Sequence, residues 1–284
     1  MDLIDIEQRK REFRVTLKSS ITFVGRGIHS ALKSKITLHP YDKGIFFKKD
    51  KKYFKLSPFK IVNTLGSTDL TVVKTIEHLL AALFFNKVDS VLIEVFGSEI
   101  PILDGSIYYF NKALEDNFFI LDKKSRVIKI NNINLQKFNL HLNYQVLSSD
   151  IFKVYCIQRD LKSNRYFIAY YDENMKIYPA KTFGYLSDYE VLKQLGLGKG
   201  ANYNNTLILS LNKIQDFFYF PMEIAYHKLI DFCGDIFTTQ IKNLKATFIL
   251  FNPNHYLNNQ LAKIIFKSIL NKKSEIYNKE DKNI

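Results

Sequence analysis

The stretch TIEHLL at residues 75–80 decides how the rest of the chain is interpreted. It sets Glu77 beside His78, and HKLID at residues 227–231 adds a second histidine and an aspartate in the other half of the chain. Two histidines and an aspartate are ligand types of a catalytic zinc site. Both segments belong to apolar helical patterns, in which an ionisable side chain is costly unless it is used. The sequence therefore predicts a metal-dependent hydrolase, provided that the two segments meet in space.

The spacing within the second segment places two ligand types on one face of a helix. Residues four apart lie one turn apart on the same face, so His227 and Asp231 project together, and Asp235 follows one turn later. His78 would supply the third ligand, and a fourth position would hold a water whose pKa zinc lowers toward about 7. The H-x-x-x-D pattern alone is typical of solvated helix faces, so the prediction depends on its combination with His78.

The composition is that of a soluble globular protein. Of the 284 residues, 46% are hydrophobic and 24% are charged, which is enough for a sizeable core. The two cysteines are far apart, which excludes a disulfide framework and favours a reducing compartment. The first residues lack the apolar core of a signal peptide, and no apolar run approaches the roughly 20 residues that span a bilayer. We therefore expect a cytoplasmic protein.

The net charge of +13 favours an anionic partner but leaves its class open. Nucleic acid, an anionic membrane surface and a phosphorylated substrate would all be attracted. The basic residues are spread along the chain, as at residues 48–52 and 272–273, which is typical of a solvated surface. A basic nucleic-acid-binding module would carry aromatic-studded basic strands in a recognisable motif. The sequence shows no such motif, so we expect no nucleic-acid partner.

The hydrophobic periodicity divides the chain into two halves of similar order. Alternation predicts strands within residues 14–48 and at 90–96, and helical spacing predicts a helix over 71–85 between them. A second helix is expected over 107–115. The second half repeats this order after a polar interruption at residues 122–125. Its predicted elements are strands over 127–170, helices over 188–195 and 221–239, a strand over 246–251 and a helix over 257–270.

This order predicts an α+β fold of two similar domains. Each would be a β-sheet layer whose helices pack inward against the helices of the other domain, which makes a β-α-α-β sandwich. One histidine-bearing helix from each domain would then face a shared cleft. We place an N-terminal extension at residues 1–13, domain I at 14–124, domain II at 125–270 and a polar tail at 271–284.

Five motifs, in order along the chain, resemble a known family. They are VGRGIHS at residues 24–30, KTIEHLLAAL at 74–83, EIPILDGS at 99–106, AKTFG at 180–184 and HKLIDFCGD at 227–235. Each motif is modest alone. Together they resemble the UDP-3-O-acyl-N-acetylglucosamine deacetylase (LpxC) family over residues 14–270. That family consists of zinc amidases that commit Gram-negative bacteria to lipid A synthesis.

The resemblance implies a metal site and a general base. By position, His78, His227 and Asp231 would bind zinc, although this ligand set also accepts iron(II). Glu77 would be the general base that takes a proton from the zinc-bound water and later hands it on. The implied cofactor is therefore Zn2+, with Fe2+ as an alternative.

The resemblance also implies roles for residues around the metal. Thr182 and a protonated His255 would stabilise the oxyanion, and Asp235 would orient His255 and keep its pKa high. Lys228 would contact the sugar or the diphosphate of the substrate. Phe183 would pack near the sugar and the start of the acyl chain. The segment over about residues 184–220 would build an apolar passage for that chain.

The implied reaction is hydrolysis of the N-acetyl group of UDP-3-O-acyl-N-acetylglucosamine to the free amine and acetate. The positive net charge then has a partner in the UDP diphosphate, and we expect peripheral contact with the inner-membrane surface. We expect a monomer. A related metal-dependent amidase acting on another acylated sugar stays open, because an acyl passage is built from ordinary apolar residues.

Some positions depart from the family pattern. Pro253 and Asn254 stand before His255 where the family has two glycines, which alters the backbone freedom there. Tyr226 replaces an arginine directly before the second histidine ligand. His29 lies in a glycine-flanked turn and is interpreted either as structural or as close to the substrate.

Overall fold

Two five-stranded β-sheets with helices packed between them form the centre of the fold, and the described residues also form three two-stranded sheets. The computed structural model describes residues 3–130, 133, 135, 136, 139–210 and 222–280. The strands of the first half are β1 (Phe13–Thr16), β2 (Ile21–Arg26), β3 (Lys33–Pro40), β4 (Ile45–Lys49), β5 (Lys52–Lys55), β6 (Ile61–Asn63), β7 (Asp69–Leu70), β8 (Val91–Phe96) and β9 (Phe119–Lys124). Those of the second half are β10 (Val127–Lys129), β11 (Tyr144–Leu147), β12 (Phe152–Asp160), β13 (Arg165–Asp172), β14 (Phe183–Tyr185), β15 (Leu207–Leu209) and β16 (Asn243–Phe251).

The α-helices are distributed over both halves. They are α1 (Leu3–Glu12), α2 (Glu77–Phe85), α3 (Tyr108–Leu114), α4 (Tyr189–Gln194), α5 (Glu223–Ile236) and α6 (His255–Glu280). Short 3-10 helices cover Pro58–Lys60, Leu186–Asp188 and Phe237–Thr239. Among the residues that the structure describes, no helix is long and apolar enough to cross a membrane.

The first sheet has the strand order β2-β3-β8-β4-β5. The β4–β8 pair is parallel, and the other pairs in this sheet are antiparallel. Buried residues alternate along its strands, as in β8, where Val91, Ile93 and Val95 are buried. A period of two is the pattern of a sheet with one face on the core.

The second sheet has the order β10-β16-β12-β13, with β11 also paired to β16. Strand β16 is parallel to β10 and β12 and antiparallel to β11. Strand β12 buries Phe152, Val154 and Cys156, again at a period of two. Each sheet therefore turns one apolar face inward.

The helices α2 and α5 pack against each other between the two sheets. Every residue of α2 except Phe85 is buried. The ring of Phe84 joins the two halves, because its centroid lies 5.1 Å from that of Phe152 and 5.6 Å from that of Phe237. Such aromatic pairs each contribute about 0.5–1.5 kcal/mol beyond the area that they bury. This arrangement confirms the α+β sandwich with helices packed inward, whereas the exact domain limits stay predictions.

The prediction of a helix over residues 71–85 is wrong at its start, because α2 begins at Glu77. Thr75 has a φ of 60°, a left-handed conformation that a right-handed helix does not contain. Lys74 forms an isolated parallel bridge with Glu99. The helical spacing of the apolar residues therefore continues into a loop, where Val73 is buried without being helical.

The two ends of the chain hold more helix than the sequence indicates. The extension at residues 1–13 forms α1 and begins β1. The helix α6 continues to Glu280, so the polar tail predicted at 271–284 is helical over its described part. Lysine and glutamate are good helix formers, which explains why the charged segment continues the helix. The predicted start of the 221–239 helix at Pro221 lies outside the described residues.

Candidate metal centre

The two histidine-bearing helices bring the predicted ligands together. His78 lies in the first turn of α2, and His227 and Asp231 lie one turn apart on α5; all three are buried. The Nε2 atom of His78 is 3.4 Å from Oδ1 of Asp231, and Nε2 of His227 is 3.4 Å from Oδ2 of the same carboxylate. One nitrogen or oxygen atom from each residue lies within 4.8 Å of the other two. These side chains therefore converge on one point between the helices.

Two separations, from each histidine to a different oxygen of Asp231, lie in the range for a tetrahedral metal ion, and the three ligand atoms lie within 4.8 Å of one another. Ligand atoms at zinc bond lengths of 2.0–2.2 Å stand about 3.3–3.6 Å apart along the edges of a tetrahedron, and 3.4 Å is long for a charged hydrogen bond. Within the described structure, Nδ1 of His78 and Nδ1 of His227 are buried without a hydrogen-bond partner. In the described structure each ring therefore has a polar contact through Nε2, with the carboxylate of Asp231, and none through Nδ1. The donor set of two imidazoles and one carboxylate suits zinc and also iron(II).

The protonation states also suit a metal. Burial lowers the pKa of His227 well below its usual value, so the ring is neutral at pH 7. Burial alone would raise the pKa of Asp231, but the neighbouring cations Lys228 and His255 hold it well below its usual value. A neutral imidazole and an ionised carboxylate are the forms that bind a metal.

A glycine allows the two helices to come this close. A Cβ atom at Gly234 of α5 would lie 2.1 Å from the carbonyl oxygen of Glu77 and 2.8 Å from its carbonyl carbon. The backbone of α2 therefore rests on α5 where α5 has no side chain. This contact lies one residue from His78 along α2 and three residues from Asp231 along α5, so it sets the distance between the ligands.

Glu77 lies beside the ligand cluster without belonging to it. Its carboxylate is buried, and Oε2 accepts a hydrogen bond of 2.9 Å from the backbone N–H of Thr68. Burial raises the pKa of Glu77 to about 7, although His255 and His78 oppose the shift. A carboxylate with a pKa near the operating pH is suited to take up and release a proton.

A hydrogen-bonded cluster around Asp235 positions His255. The Oδ2 atom of Asp235 lies 2.9 Å from Nδ1 of His255 and accepts a hydrogen bond of 2.9 Å from the side-chain amide of Asn258. The Oδ1 atom of Asp235 accepts a hydrogen bond of 2.5 Å from the hydroxyl of Thr68. Tyr144 in turn donates to Asn258 over 2.5 Å. The carboxylate thus has partners on both oxygens and holds the His255 ring in place.

His255 points its other nitrogen toward the ligands. Nε2 of His255 is 3.8 Å from Oδ2 of Asp231. Burial alone would lower the pKa of this histidine, but Asp235 and Asp231 raise it to about 9. His255 is therefore a cation at neutral pH, directed at the space where the ligands converge. Pro253 and Asn254, which stand where the family has two glycines, do not prevent this orientation of His255, because His255 begins α6 and its ring faces the cluster.

Lys228 and Phe183 border the centre. Lys228 donates a hydrogen bond of 3.0 Å to Oδ2 of Asp231, and its ammonium lies 5.5 Å from the centroid of the Phe183 ring. The Phe183 ring is 5.7 Å from that of His227. Thr182 is next to Phe183 in the chain and is fixed through its backbone, since its N–H donates to Gly105 over 2.7 Å. The role of the Thr182 hydroxyl stays a prediction.

His29 connects the first half to the segment that the resemblance assigns to the acyl passage. Its Nδ1 accepts a hydrogen bond of 3.2 Å from the N–H of Gly198, and its Nε2 lies 3.3 Å from the carbonyl oxygen of Gly66. Its own backbone N–H donates to the buried carboxylate of Glu99 over 2.8 Å. Of the two interpretations, these contacts favour the structural one.

The segment assigned to the acyl passage is described as far as residue 210. It contains β14 and β15, which pair in parallel, with α4 between them. Several apolar side chains of this segment are exposed, and residues 211–220 lie outside the described part of the chain. The exposed apolar residues are Leu186, Tyr189, Val191, Leu195 and Tyr203.

Three residues of the centre were not predicted from the sequence. They are Thr68, which donates to Glu77 and Asp235, Asn258, which donates to Asp235, and Tyr144, which donates to Asn258. Asn258 could have been predicted, because it stands three residues after His255 and therefore lies on the same face of a helix. Thr68 and Tyr144 lie in a loop and a strand distant in sequence, and no spacing pattern connects them to the ligands.

Comparison with known proteins gives a consistent result. A family model described as UDP-3-O-acyl N-acetylglycosamine deacetylase (LpxC) matches residues 14–267. The chain is 31% identical over 273 residues to the UDP-3-O-acyl-N-acetylglucosamine deacetylase of Aquifex aeolicus, covering 89% of this chain and 92% of that protein. It is 29% identical over 285 residues to the enzyme of the same name from Helicobacter hepaticus, covering 94% of each. The match to the family model over nearly the whole chain, together with these relatives, shows that the chain belongs to the LpxC family.

Proposed function

We propose that this chain is a zinc-dependent deacetylase that hydrolyses the N-acetyl group of UDP-3-O-acyl-N-acetylglucosamine to the free amine and acetate. In lipid A biosynthesis this is the committed step. The observation that carries the proposal is the buried convergence of His78, His227 and Asp231 with Glu77 beside them, in a chain of this family. We also propose that it acts in the cytoplasm as a monomer in peripheral contact with the inner membrane.

In this proposal His78, His227 and Asp231 hold the metal ion. When bound, zinc lowers the pKa of a coordinated water toward about 7 and polarises the carbonyl oxygen of an amide. Lys228 keeps Asp231 ionised through its hydrogen bond of 3.0 Å. Iron(II) is the alternative metal for the same ligands.

Glu77 moves the proton. One of its oxygens accepts a hydrogen bond from the N–H of Thr68, and the other would face the attacking water. The buried carboxylate would accept a proton from that water and pass it to the departing amine. Proton transfer by a positioned side chain contributes roughly 10²–10⁴-fold to a rate.

His255 and Thr182 act on the negative charge that develops on the acetyl oxygen. His255 is a cation fixed by Asp235, so its charge is in place before the reaction begins. The hydroxyl of Thr182 would donate a hydrogen bond to the same oxygen. Lys228 and Phe183 would bind the diphosphate and the sugar, and the exposed apolar residues over 186–203 would accompany the acyl chain.

The test is acetate release from the UDP substrate by the purified protein before and after removal of metal with a chelator. We expect activity to disappear with the metal and to return with zinc. Glu77→Gln should lower turnover by roughly 10²–10⁴-fold while the protein keeps its metal. The matched control is Glu94→Gln on the outer face of the first sheet, where Glu94 pairs with Lys48. Undiminished activity in the metal-free protein would overturn the proposal.

A further inference from the structure

A second concave site lies between the two halves at the ends of α2 and α5 that point away from the metal centre. It is a cavity of about 480 Å³. Its lining comes from both halves of the chain, and it includes Asp89 after α2, Gln240 after α5 and Phe266 on α6. Ligand sites for small molecules typically have volumes of about 300–1,000 Å³.

The cavity is separate from the metal centre. Phe266 stands eleven residues after His255 on the same helix, which is about 16 Å at 1.5 Å per residue. Thr239, also in the lining, stands eight residues after Asp231, which is about 13 Å at 1.5 Å per residue as far as Ile236 and about 2.0 Å per residue in the 3-10 helix beyond it. The described lining contains none of the residues of the metal centre.

The floor of the cavity is positively charged and firmly held. Arg14 donates to the carbonyl oxygen of Asp42 over 3.1 Å and to that of Asp89 over 3.2 Å. The side chain of Lys242 is fully buried and donates to the carbonyl oxygen of Phe13 over 2.5 Å. The carboxylate of Asp89 lies 3.9 Å from Arg14 and 3.6 Å from Lys242. A single negative charge is therefore shared between two basic side chains. Burial lowers the pKa of Lys242 to about 8 even though Asp89 opposes the shift.

The rim adds more positive charge without counterions. Six basic side chains line it, none of which has an ion pair or side-chain hydrogen bond within the described structure. In the described lining, Asp89 is the single carboxylate, against eight basic residues in all. The six rim residues are Lys43, Lys55, Lys60, Lys123, Lys124 and Arg126.

The basic residues of the cavity are not explained by their position at the C-terminal ends of helices. Lysine and arginine often follow the last turn of an α-helix, where they offset the negative end of its dipole. Here Lys55 ends β5, Lys124 ends β9, and Arg126 follows in the loop before β10. Basic groups from strands and loops therefore gather in one concavity, which concentrates positive potential and favours an anion.

We propose that this cavity binds a small soluble ligand that carries two or more phosphate groups. Phosphate oxygens are the natural partners of lysine and arginine donors, and several donors at one site favour several charges on the ligand. The side chain of Gln240 stiffens the wall, because it accepts from the N–H of Ile45 over 2.8 Å and donates to the carbonyl oxygen of Leu56 over 2.6 Å. The site is therefore formed before the ligand arrives.

The probe for the test is inorganic tripolyphosphate, and its affinity is measured by titration calorimetry at fixed ionic strength. We expect one saturable site in the wild type. The double variant Lys60→Glu with Arg126→Glu should weaken binding tenfold or more. The control is Lys33→Glu with Lys51→Glu, which changes the net charge equally at exposed positions outside the cavity, and it should change the affinity by less than twofold.

Three results would overturn the proposal. Equal weakening in the control would mean general attraction to a basic protein. Strong weakening by Lys228→Ala at the metal centre would mean that the probe binds there. Binding to phosphatidylglycerol vesicles without any binding of tripolyphosphate would mean that the cavity contacts a lipid surface. If the double reversal does not fold, Lys55→Gln with Lys123→Gln replaces it, and at least a threefold loss of affinity is expected.

Discussion

Replacing Gly234 by alanine should damage the metal centre without touching a single ligand. The added Cβ would lie 2.1 Å from the carbonyl oxygen of Glu77. An ordinary contact needs about 3.4 Å, so the backbone of α2 must withdraw by about 1.3 Å. His78 is the next residue on α2 and moves with it, whereas His227 and Asp231 stay on α5.

The magnitudes separate the effect on activity from the effect on stability. Alanine gains roughly 1 kcal/mol over glycine inside a helix, while overpacking costs roughly 1–3 kcal/mol. Because the clash is with the backbone of α2, the overpacking cost lies at the upper end of this range, and the free energy of unfolding should fall by about 2 kcal/mol. A displacement of about 1 Å at a reacting site costs on the order of 10²-fold in rate. We expect turnover to fall by about that factor and the affinity for metal to fall with it.

The assay combines urea denaturation, metal content and acetate release per folded molecule. Gly184→Ala makes the same chemical change where a Cβ meets no atom within 4 Å, so it is the matched control for stability and metal content, both of which it should leave unchanged. If Gly234→Ala kept its metal and its turnover, the contact between α2 and α5 would not set the geometry of the centre.

Two further predictions concern buried polar groups. Burial lowers the pKa of Lys87 to about 8 from 10.5, so between these values the unfolded chain holds more protons and stability rises with pH. From about pH 7.5 to about pH 9 this one group should add about 1 kcal/mol to the free energy of unfolding. Denaturation of Lys87→Met should show a rise smaller by that amount, and an unchanged slope would contradict the prediction. Tyr144→Phe should cost roughly 1–3 kcal/mol of stability, because Asn258 loses a buried donor. Its turnover should fall less than tenfold, since Asp235 keeps its other partners, and a loss as large as that of Glu77→Gln would refute this interpretation.

Part of the candidate ligand set could be predicted from local geometry. His227 and Asp231 are four residues apart, and that spacing places them on one face wherever the helix lies. Their convergence with His78 could not be derived in this way. It depends on the approach of two helices from different halves, and the decisive residue is Gly234, whose importance lies in the side chain that it lacks. The order of the two halves predicted that the histidine-bearing helices face a shared cleft, and the family resemblance implied that their side chains would share one metal.

The start of α2 shows the opposite kind of failure. Apolar residues recur at helical spacing from Val72 onward, but Thr75 takes a left-handed conformation and Ile76 donates its N–H to the carbonyl oxygen of Thr68. Periodicity reports which residues are buried, and a buried loop can satisfy it as well as a helix can. The tertiary contacts that hold this loop are invisible to a local pattern.

The late start of α2 has a consequence for the candidate site. Because the residues before Glu77 form a loop, Thr68 can donate its backbone N–H to Glu77 and its hydroxyl to Asp235. If the helix began at residue 71, its first turn would lie before Glu77 and would not contain His78. With the start at Glu77, His78 in the first turn of α2 lies 3.4 Å from the carboxylate of Asp231, and His255 in the first turn of α6 lies 3.8 Å from it. Two helix starts, which carry partial positive charge, thus lie near one buried carboxylate, while the basic cavity gathers cations near the opposite end of α2.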